Sequence, residues 1–147
     1  MTSRRIETVH FIEDSEDEVF LTRLLFSKEK VDARLAHHFS WDAFRAALDA
    51  TPATEPLLVC VDLNMPGMKG TEIISAMLAA APRPRLISGI CSGSEDPADR
   101  LHAERVGARF FVQKPLNRAA LEAICSAVDE LSCGSSPEGM FTLSCIS

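Results

Sequence analysis

The sequence has no long apolar run and no signal-peptide pattern at its amino terminus, where Met1-Thr2-Ser3-Arg4-Arg5 leads directly into the first predicted strand. We therefore expect a cytoplasmic protein that does not associate with a membrane. Basic residues are also few, since 15 Lys and Arg stand against 21 Asp and Glu and leave a formal net charge of −6. This deficit argues against a DNA partner, because contacts with phosphates need clustered Lys and Arg.

The chain also lacks a CxxC pair, and its five cysteines do not cluster with histidine. This pattern argues against a zinc site, and the cysteines are expected to act as small apolar residues in a reducing compartment. The four histidines are scattered, and none has the sequence neighbours expected of a catalytic base or a ligand: His10, His37, His38 and His102. We assign them no role.

Apolar runs alternate five times with segments of helical periodicity, in a chain of 147 residues that suits one compact domain. The predicted strands are 7–12, 33–39, 57–61, 85–90 and 109–113, and the predicted helices are 16–29, 41–50, 69–80, 97–106 and 117–131. This order predicts a doubly wound α/β fold, with a five-stranded parallel sheet covered by helices on both faces. Ser40 and Asn117 are suitable N-caps, and Gly107 is placed to end the fourth helix.

The end of the chain has a different composition. Leu121, Ile124, Val128 and Leu131 recur every three or four residues and predict the core-facing stripe of the last helix. Beyond it, the Gly, Ser and Pro content of 132–139 predicts a flexible hinge, and the apolar residues 140–146 could form a short strand. We expect 132–147 to be a tail or an arm, too short to be an output domain. It is either frayed, or it packs on its own domain or on a second subunit.

Reactive side chains follow four of the five predicted strands. Glu13 and Asp14 end the first, Asp62 ends the third, Ser92 follows the fourth and Lys114 follows the fifth. The carboxyl ends of parallel strands meet at one edge of the sheet, which is the edge where ligands bind. Two adjacent acids repel each other, so a cation is expected to compensate them.

With these positions the chain resembles the receiver domain of bacterial two-component response regulators. The matching segments are Ile12-Glu13-Asp14, Val61-Asp62-Leu63-Asn64-Met65-Pro66-Gly67, Ser92-Gly93, Gly107-Ala108 and Lys114-Pro115. Separations of 48 residues from Asp14 to Asp62, 30 to Ser92 and 22 more to Lys114 are usual for that family. The resemblance implies a receiver domain over 1–131, with a flavodoxin-like (βα)5 fold and strand order 2-1-3-4-5.

The resemblance implies transfer of a phosphoryl group to Asp62 from a phosphohistidine of a sensor histidine kinase or phosphotransfer protein. It further implies a Mg²⁺ ion held by Glu13, Asp14, Asp62 and the backbone carbonyl of Asn64. In this scheme Asp14 binds the metal directly, and Glu13 binds it mainly through water. Carboxylates and phosphoryl oxygens are the hard ligands that Mg²⁺ prefers.

Two further site residues follow from the same likeness. Lys114 would pair with Asp62 or with the phosphoryl oxygens, aimed by a cis bond to Pro115. The Ser92 hydroxyl would donate to a phosphoryl oxygen, and Ser92 and Phe111 would form the switch that reports phosphorylation. Phenylalanine stands where the family often has tyrosine, so the alternative for Phe111 is a plain core residue.

Helix one is expected to carry the partner surface. A regular helix places Leu21 and Leu25 toward the core and leaves Phe20 and Leu24 on an adjoining face, where they would dock a kinase together with Pro115. The alternative is that Phe20 is buried by a neighbouring helix. A homodimer through helix four, strand five and helix five, or through the C-terminal segment, is also compatible with the family.

The leading hypothesis is a single-domain response regulator that signals through a partner, a phosphorelay or as a phosphate sink. It would be a phosphoacceptor that assists its own phosphorylation and dephosphorylation and is not an enzyme. One alternative is a receiver-like interaction module that works unphosphorylated. A phosphohydrolase of the haloacid-dehalogenase type is disfavoured, since the second aspartate it needs is replaced by Asn64. The segment Glu13–Val19 resembles the stand-alone receivers that serve phytochrome-type kinases.

Overall fold

The computed structural model describes residues 2–80 and 83–146. Its elements, in chain order, are β1 Ser3–Arg5, β2 Thr8–Ile12, α1 Glu16–Lys28, β3 Arg34–His38, α2 Trp41–Asp49, β4 Leu57–Asp62, α3 Gly70–Ala80, β5 Leu86–Ser92, α4 Pro97–Val106, β6 Phe111–Gln113, α5 Arg118–Ala127, β7 Leu131–Ser135 and β8 Phe141–Ile146. None of the helices in these two ranges is long and apolar enough to cross a membrane.

The central sheet has five parallel strands in the order β3-β2-β4-β5-β6. In the numbering of the predicted strands this is 2-1-3-4-5, so the predicted fold class and strand order are confirmed. Every residue of β4 and β5 is buried, which explains why their sequences are continuous apolar runs rather than alternating ones. The sheet therefore brings the carboxyl ends of β2, β4, β5 and β6 to a single edge.

Helices cover both faces of this sheet, and the predicted helix boundaries rest on specific caps. Ser40 and Asn117 each accept a hydrogen bond from a backbone N–H of the first turn that follows, as predicted. Gly107 ends α4 with a φ of 106°, a left-handed conformation that glycine adopts without steric cost. The two N-caps fix where α2 and α5 begin beside the edge that carries the reactive side chains, and Gly107 fixes where α4 ends.

Two details of the helices differ from the predictions. The buried residues of α1 are Val19, Thr22 and Phe26, so the expected core position of Leu21 was wrong, while Leu25 is half-buried. Leu21 is 41% exposed. The buried Thr22 is stable there because its hydroxyl donates to the Glu18 carbonyl. The last helix ends at Ala127 rather than at residue 131.

The C-terminal segment is neither frayed nor a hinge. Strands β7 and β8 form an antiparallel hairpin, and β8 also pairs with β1 in a three-stranded sheet of order β1-β8-β7. The segment 132–139 was therefore wrongly predicted as flexible, and the arm packs on its own domain. The boundary placed at residue 131 falls at the first residue of β7. Ser147 of that segment lies outside the described residues, as do Met1, Ala81 and Pro82.

Backbone and side chains both fasten the hairpin to the main body. The Phe141 N–H donates to the Lys30 carbonyl and its own carbonyl accepts from the Asp32 N–H, each at 2.7 Å. Phe141, Leu143 and Cys145 are buried in the core beneath α1 and α5. The hairpin thus closes the end of the domain opposite the carboxyl edge of the parallel sheet, between β1 and α5.

Two of the four histidines form a half-buried pair. His10 Nδ1 and His38 Nε2 lie 3.0 Å apart, with the Phe44 ring edge-on to both imidazoles. Burial lowers the pKa of His10 from 6.5 to about 4, helped by the neighbouring His38 and Arg34. Between pH 6.5 and pH 4, His10 is therefore protonated in the unfolded chain and neutral in the folded chain. Stability from this group is complete above pH 6.5 and is lost as the pH falls toward 4.

We expect His10→Gln to reduce this acid sensitivity. The wild type should lose about 2 kcal/mol of unfolding free energy through His10 between pH 7.5 and pH 5, and the variant should lose that much less. Urea unfolding at the two pH values measures the difference, with His102→Gln on the exposed face of α4 as the matched control. Equal pH dependence of wild type and His10→Gln would show that His10 titrates normally in the folded chain.

Candidate functional site

The carboxyl ends of β2 and β4 bring three acids together. Glu13 follows β2, Asp62 is the last residue of β4, and carboxylate oxygens of Glu13, Asp14 and Asp62 all lie within 4.8 Å of one another. Glu13 and Asp62 are buried, at 1% and 6% exposed, whereas Asp14 is exposed to solvent. The structure thus places two acids inside the protein and one at the mouth of the site.

Lys114 reaches into this group from the end of β6. Its Nζ lies 2.6 Å from Glu13 Oε1 and 2.9 Å from Asp62 Oδ1, so it bridges the two buried carboxylates. The sequence predicted the pairing with Asp62 but missed the pairing with Glu13. A buried ion pair of this kind costs desolvation and is weak evidence for a purely stabilising role. A functional role at this site explains better than stability why one lysine pairs with two buried acids.

The buried negative charge of the site is not fully neutralised by Lys114. Burial raises the pKa of Glu13, Lys114 opposes the rise and the nearby Asp62 adds to it, and the net pKa is about 7. Burial alone would lower the pKa of Lys114, but its hydrogen bonds with Glu13 and Asp62 raise it above its ordinary value. Lys114 therefore stays charged, while Glu13 ionises easily only if more positive charge is present.

The residues present fit a hard divalent cation. Three carboxylates against one ammonium leave an excess of two negative charges, within a set of oxygen ligands that Mg²⁺ prefers. A cation there would counteract the effects of burial and of the Asp62 charge, which raise the pKa of Glu13. Asn64 lies two residues beyond Asp62 and is exposed. Its backbone carbonyl stays a predicted ligand of the cation.

Backbone contacts hold Glu13 in a fixed position. One of its carboxylate oxygens accepts from the N–H groups of Asp14 at 2.9 Å and Ser15 at 3.3 Å. The His37 Nε2–H donates to the Glu13 carbonyl at 2.6 Å. Sequence analysis gave His37 no role, and its position at the end of the neighbouring strand was the signal that could have identified it.

Ser92 occupies the predicted place at the end of β5. It is 1% exposed, its carbonyl accepts from the Lys114 N–H, and its hydroxyl oxygen accepts from the Ser94 N–H at 3.0 Å. Ser94 in turn donates its hydroxyl to Asp99 on α4 at 2.9 Å. Ser94 was missed by sequence reasoning. It links the loop that carries Ser92 to the first turns of α4.

Glycine is required where α3 begins beside the site. The Gly70 N–H donates to the Leu63 carbonyl at 2.8 Å, and a Cβ at Gly70 would overlap with the carbonyl oxygen of Asp62. Only a residue without a side chain permits this approach of helix to strand end. The packing of α3 thus helps to fix the backbone of Asp62.

The remaining predicted residues surround this centre. The peptide bond from Lys114 to Pro115 is cis, as the resemblance implied. Phe111 is half-buried, and the Arg100 guanidinium lies 5.0 Å from the centroid of its ring. Phe20 and Leu24 are 65% and 52% exposed on α1, so the alternative that a neighbouring helix buries Phe20 was wrong.

A family model described as the response regulator receiver domain matches residues 9–126. The chain belongs to the response regulator receiver domain family. Receiver domains of two-component systems are phosphoacceptor signalling domains that are generally non-enzymatic, typically bind Mg²⁺ at an acidic pocket, and generally interact with histidine kinases or phosphotransfer proteins. The predicted family is therefore confirmed.

Among curated proteins, the receiver domain is similar to the transcriptional regulatory protein FixJ of Azorhizobium caulinodans, with 30% identity over 119 residues. It is also similar to protein-glutamate methylesterase/protein-glutamine glutaminase 2 of Rhodopseudomonas palustris, with 38% identity over 77 residues. These matches cover 81% and 52% of this chain but 53% and 20% of the relatives. The chain thus spans about half the length of FixJ and a smaller share of the methylesterase.

Solved structures agree on the fold. A two component response regulator from Cytophaga hutchinsonii has a TM-score of 0.72 at 26% identity, over 84% of this chain and 96% of that one. The bacteriophytochrome response regulator AtBRR has a TM-score of 0.68 at 17% identity, over 86% and 94% of the two chains. At such low identity the likeness to AtBRR concerns the fold alone.

Proposed function

We propose that Asp62 of this receiver domain accepts a phosphoryl group from the phosphohistidine of a sensor histidine kinase or a phosphotransfer protein. The observation that carries the proposal is the Lys114 ammonium, held 2.9 Å from the Asp62 carboxylate inside a trio of acids. A structural ion pair would need one acid. The second buried acid and the exposed third supply the ligands of a cation, which a phosphoacceptor needs and a purely structural site does not.

In the proposed reaction an oxygen of Asp62 attacks the phosphorus atom. The bond from phosphorus to the donor histidine breaks, and the histidine nitrogen keeps the electron pair and takes a proton from solvent. Negative charge spreads over the phosphoryl oxygens during transfer, and a fixed positive group near them lowers the barrier. The Lys114 ammonium is such a group, because Glu13 keeps it in place whether or not Asp62 still carries its charge.

Magnesium would be held by Glu13, Asp14 and Asp62, with the Asn64 carbonyl as a further ligand. When bound, Mg²⁺ supplies positive charge to the phosphoryl oxygens. The chain's own contribution is to orient the ligands: two backbone N–H groups fix Glu13, and the approach of α3 at Gly70 fixes the end of β4.

Ser92 and Phe111 form the proposed switch. The Ser92 hydroxyl accepts from the Ser94 N–H, so its own hydrogen remains available for a phosphoryl oxygen. Turning toward the phosphoryl group would weaken the contact with Ser94, which is tied to Asp99 of α4. Phe111 would respond by packing, since it has no hydroxyl to hydrogen-bond after rotation.

The proposed docking surface for the phosphodonor consists of Phe20 and Leu24 on α1, with Pro115 beside Lys114. Exposed apolar side chains beside a charged site are expected at a protein contact. Signalling through a partner, a phosphorelay or a phosphate sink is part of the same proposal. The proposed kinase partner is of the phytochrome type. We also propose a homodimer through α4, β6 and α5.

Intact-mass analysis tests the acceptor directly. We expect one phosphoryl adduct on wild type incubated with Mg²⁺ and acetyl phosphate, and none on Asp62→Asn or in the presence of a chelator. Asp17→Asn, an exposed acid in the first turn of α1, is the matched control and should retain the adduct. No adduct on wild type, either here or with a phosphorylated histidine kinase as donor, would favour the interaction module that works unphosphorylated.

A further inference from the structure

Two cysteines lie near each other where the C-terminal hairpin meets the last helix. Cys125 is in the final turns of α5 and Cys133 is in the middle of β7, and Cys133 is close enough to influence the Cys125 thiol. They are eight residues apart in sequence, and the turn between α5 and β7 brings them together. Neither belongs to the acidic site, and no part of the proposed phosphoryl transfer uses them.

The strand pairing explains why Cys133 points toward α5. Alternate residues of a strand share one face, and residues directly opposite in an antiparallel pair share it too. Cys133 is two residues from the buried Leu131 and opposite the buried Leu143. Cys125 packs against the same core from the helix side. The register of the hairpin therefore turns Cys133 toward the part of the core against which Cys125 packs.

The two thiols differ in access. Cys133 is exposed, Cys125 is half-buried, and the other three cysteines are buried: Cys60, Cys91 and Cys145. Burial, followed by the nearby Cys133, raises the pKa of the Cys125 thiol to about 12, so this group keeps its proton. A reagent from solvent meets the exposed Cys133 before the half-buried Cys125. This is the arrangement of an attacking thiol and a resolving thiol.

We propose that Cys125 and Cys133 form a dithiol site that a small peroxide oxidises to an intramolecular disulfide, which fastens β7 covalently to α5. The site goes beyond the proposed phosphoacceptor function and does not depend on it. Its reagent is of a neutral hydroperoxide class, which is not repelled by the nearby carboxylate of Glu122.

The reaction has two balanced steps. The Cys133 sulfur attacks one peroxide oxygen and the O–O bond breaks, which gives a sulfenic acid at Cys133 and one water when the peroxide is hydrogen peroxide. The Cys125 sulfur then attacks the Cys133 sulfur, the S–O bond breaks, and the hydroxyl leaves as a second water with the Cys125 proton. The thiols lose two electrons, and one peroxide molecule is reduced.

The test is to treat the folded chain with hydrogen peroxide, denature it and alkylate the remaining thiols with iodoacetamide. Wild type should lose two of its five alkylatable thiols, and peptide mapping should recover one linked pair that joins residues 125 and 133. Cys133→Ser and Cys125→Ser should each abolish the linked pair. Cys145→Ala, in the neighbouring strand β8, is the matched control and should retain it.

Two further measurements distinguish this proposal from a failure of the phosphoacceptor site and from random pairing of thiols. Asp62→Asn should form the disulfide as wild type does, so a failed phosphoacceptor test leaves this one intact. Oxidation in urea should give mixed pairings, because the register of the hairpin is then lost. The proposal is overturned if all five thiols remain alkylatable, if the link joins two chains, or if another pair forms in the folded protein.

Discussion

Replacing Lys114 with methionine should slow phosphoryl transfer to Asp62 about 100-fold or more, because a fixed positive charge beside the reacting oxygens typically supplies that much. Methionine keeps most of the length of the side chain and removes only the ammonium that bridges Glu13 and Asp62. Two buried carboxylates then face each other, and Glu13 is expected to take up a proton to relieve the repulsion. The initial rate of adduct formation with acetyl phosphate and Mg²⁺ measures the loss.

Lys69→Met supplies the matched control for this experiment. Lys69 is exposed just before α3, close to the same edge of the sheet, and carries the same charge. If the site acts through a positioned ammonium, Lys69→Met should keep a rate near that of wild type. Equal rates for the two variants would mean that general attraction of the anionic donor, rather than contact at Asp62, explains the effect of Lys114.

Replacing Phe141 with alanine should destabilise the protein by about 3–5 kcal/mol, as expected when a fully buried phenylalanine is truncated. The ring is 3% exposed in the core beneath α1 and α5, and the Arg118 guanidinium lies 5.0 Å from its centroid. A loss of this size is a large share of the stability of a typical domain. Equilibrium unfolding in urea, followed by circular dichroism, gives the value.

Ile146→Ala is the matched control for Phe141→Ala. Ile146 lies in the same strand but is 38% exposed, so its truncation should cost only about 0.5 kcal/mol. A frayed tail would make both substitutions neutral. If Phe141→Ala leaves the unfolding free energy unchanged, β8 is not part of the folded domain in solution.

The reactive edge of the sheet was predictable because each of its residues is fixed by a local pattern. Asp62 and Lys114 end apolar runs, and in a parallel sheet the end of a run specifies which edge a side chain occupies. The second contact of Lys114 was not predictable. Glu13 and Asp14 are adjacent in sequence. The inward orientation of the Glu13 side chain depends on hydrogen bonds from the N–H groups of Asp14 and Ser15, which the sequence does not reveal.

The elements that were missed depend on the strands with which they pair. Strand β1 has three residues, all exposed, and exists through its pairing with β8 at the other end of the chain. Strand β7 has the composition of a hinge because it contains Gly134 and two serines. Its pairing with the apolar β8 determines its structure, and local propensity for strands is easily overridden by such context.

The error on α1 has a similar cause. Hydrophobicity favoured Leu21 and Leu25 for the core, whereas packing selected Val19, Thr22 and Phe26. These three residues also recur at helical spacing, and Thr22 satisfies its hydroxyl within the helix. Leu21 is left exposed next to Phe20, which belongs to the surface proposed for the phosphodonor.

Chemical trapping of the acyl phosphate is the most direct test of the central claim, that this edge of the sheet accepts a phosphoryl group on Asp62. Borohydride reduces an aspartyl phosphate to homoserine, and peptide mass spectrometry then locates the modified residue. After treatment with a phosphodonor and Mg²⁺, we predict homoserine at position 62 and at no other aspartate. Homoserine at Asp14 or at another aspartate, or none anywhere in a protein that carries the adduct, would contradict the account.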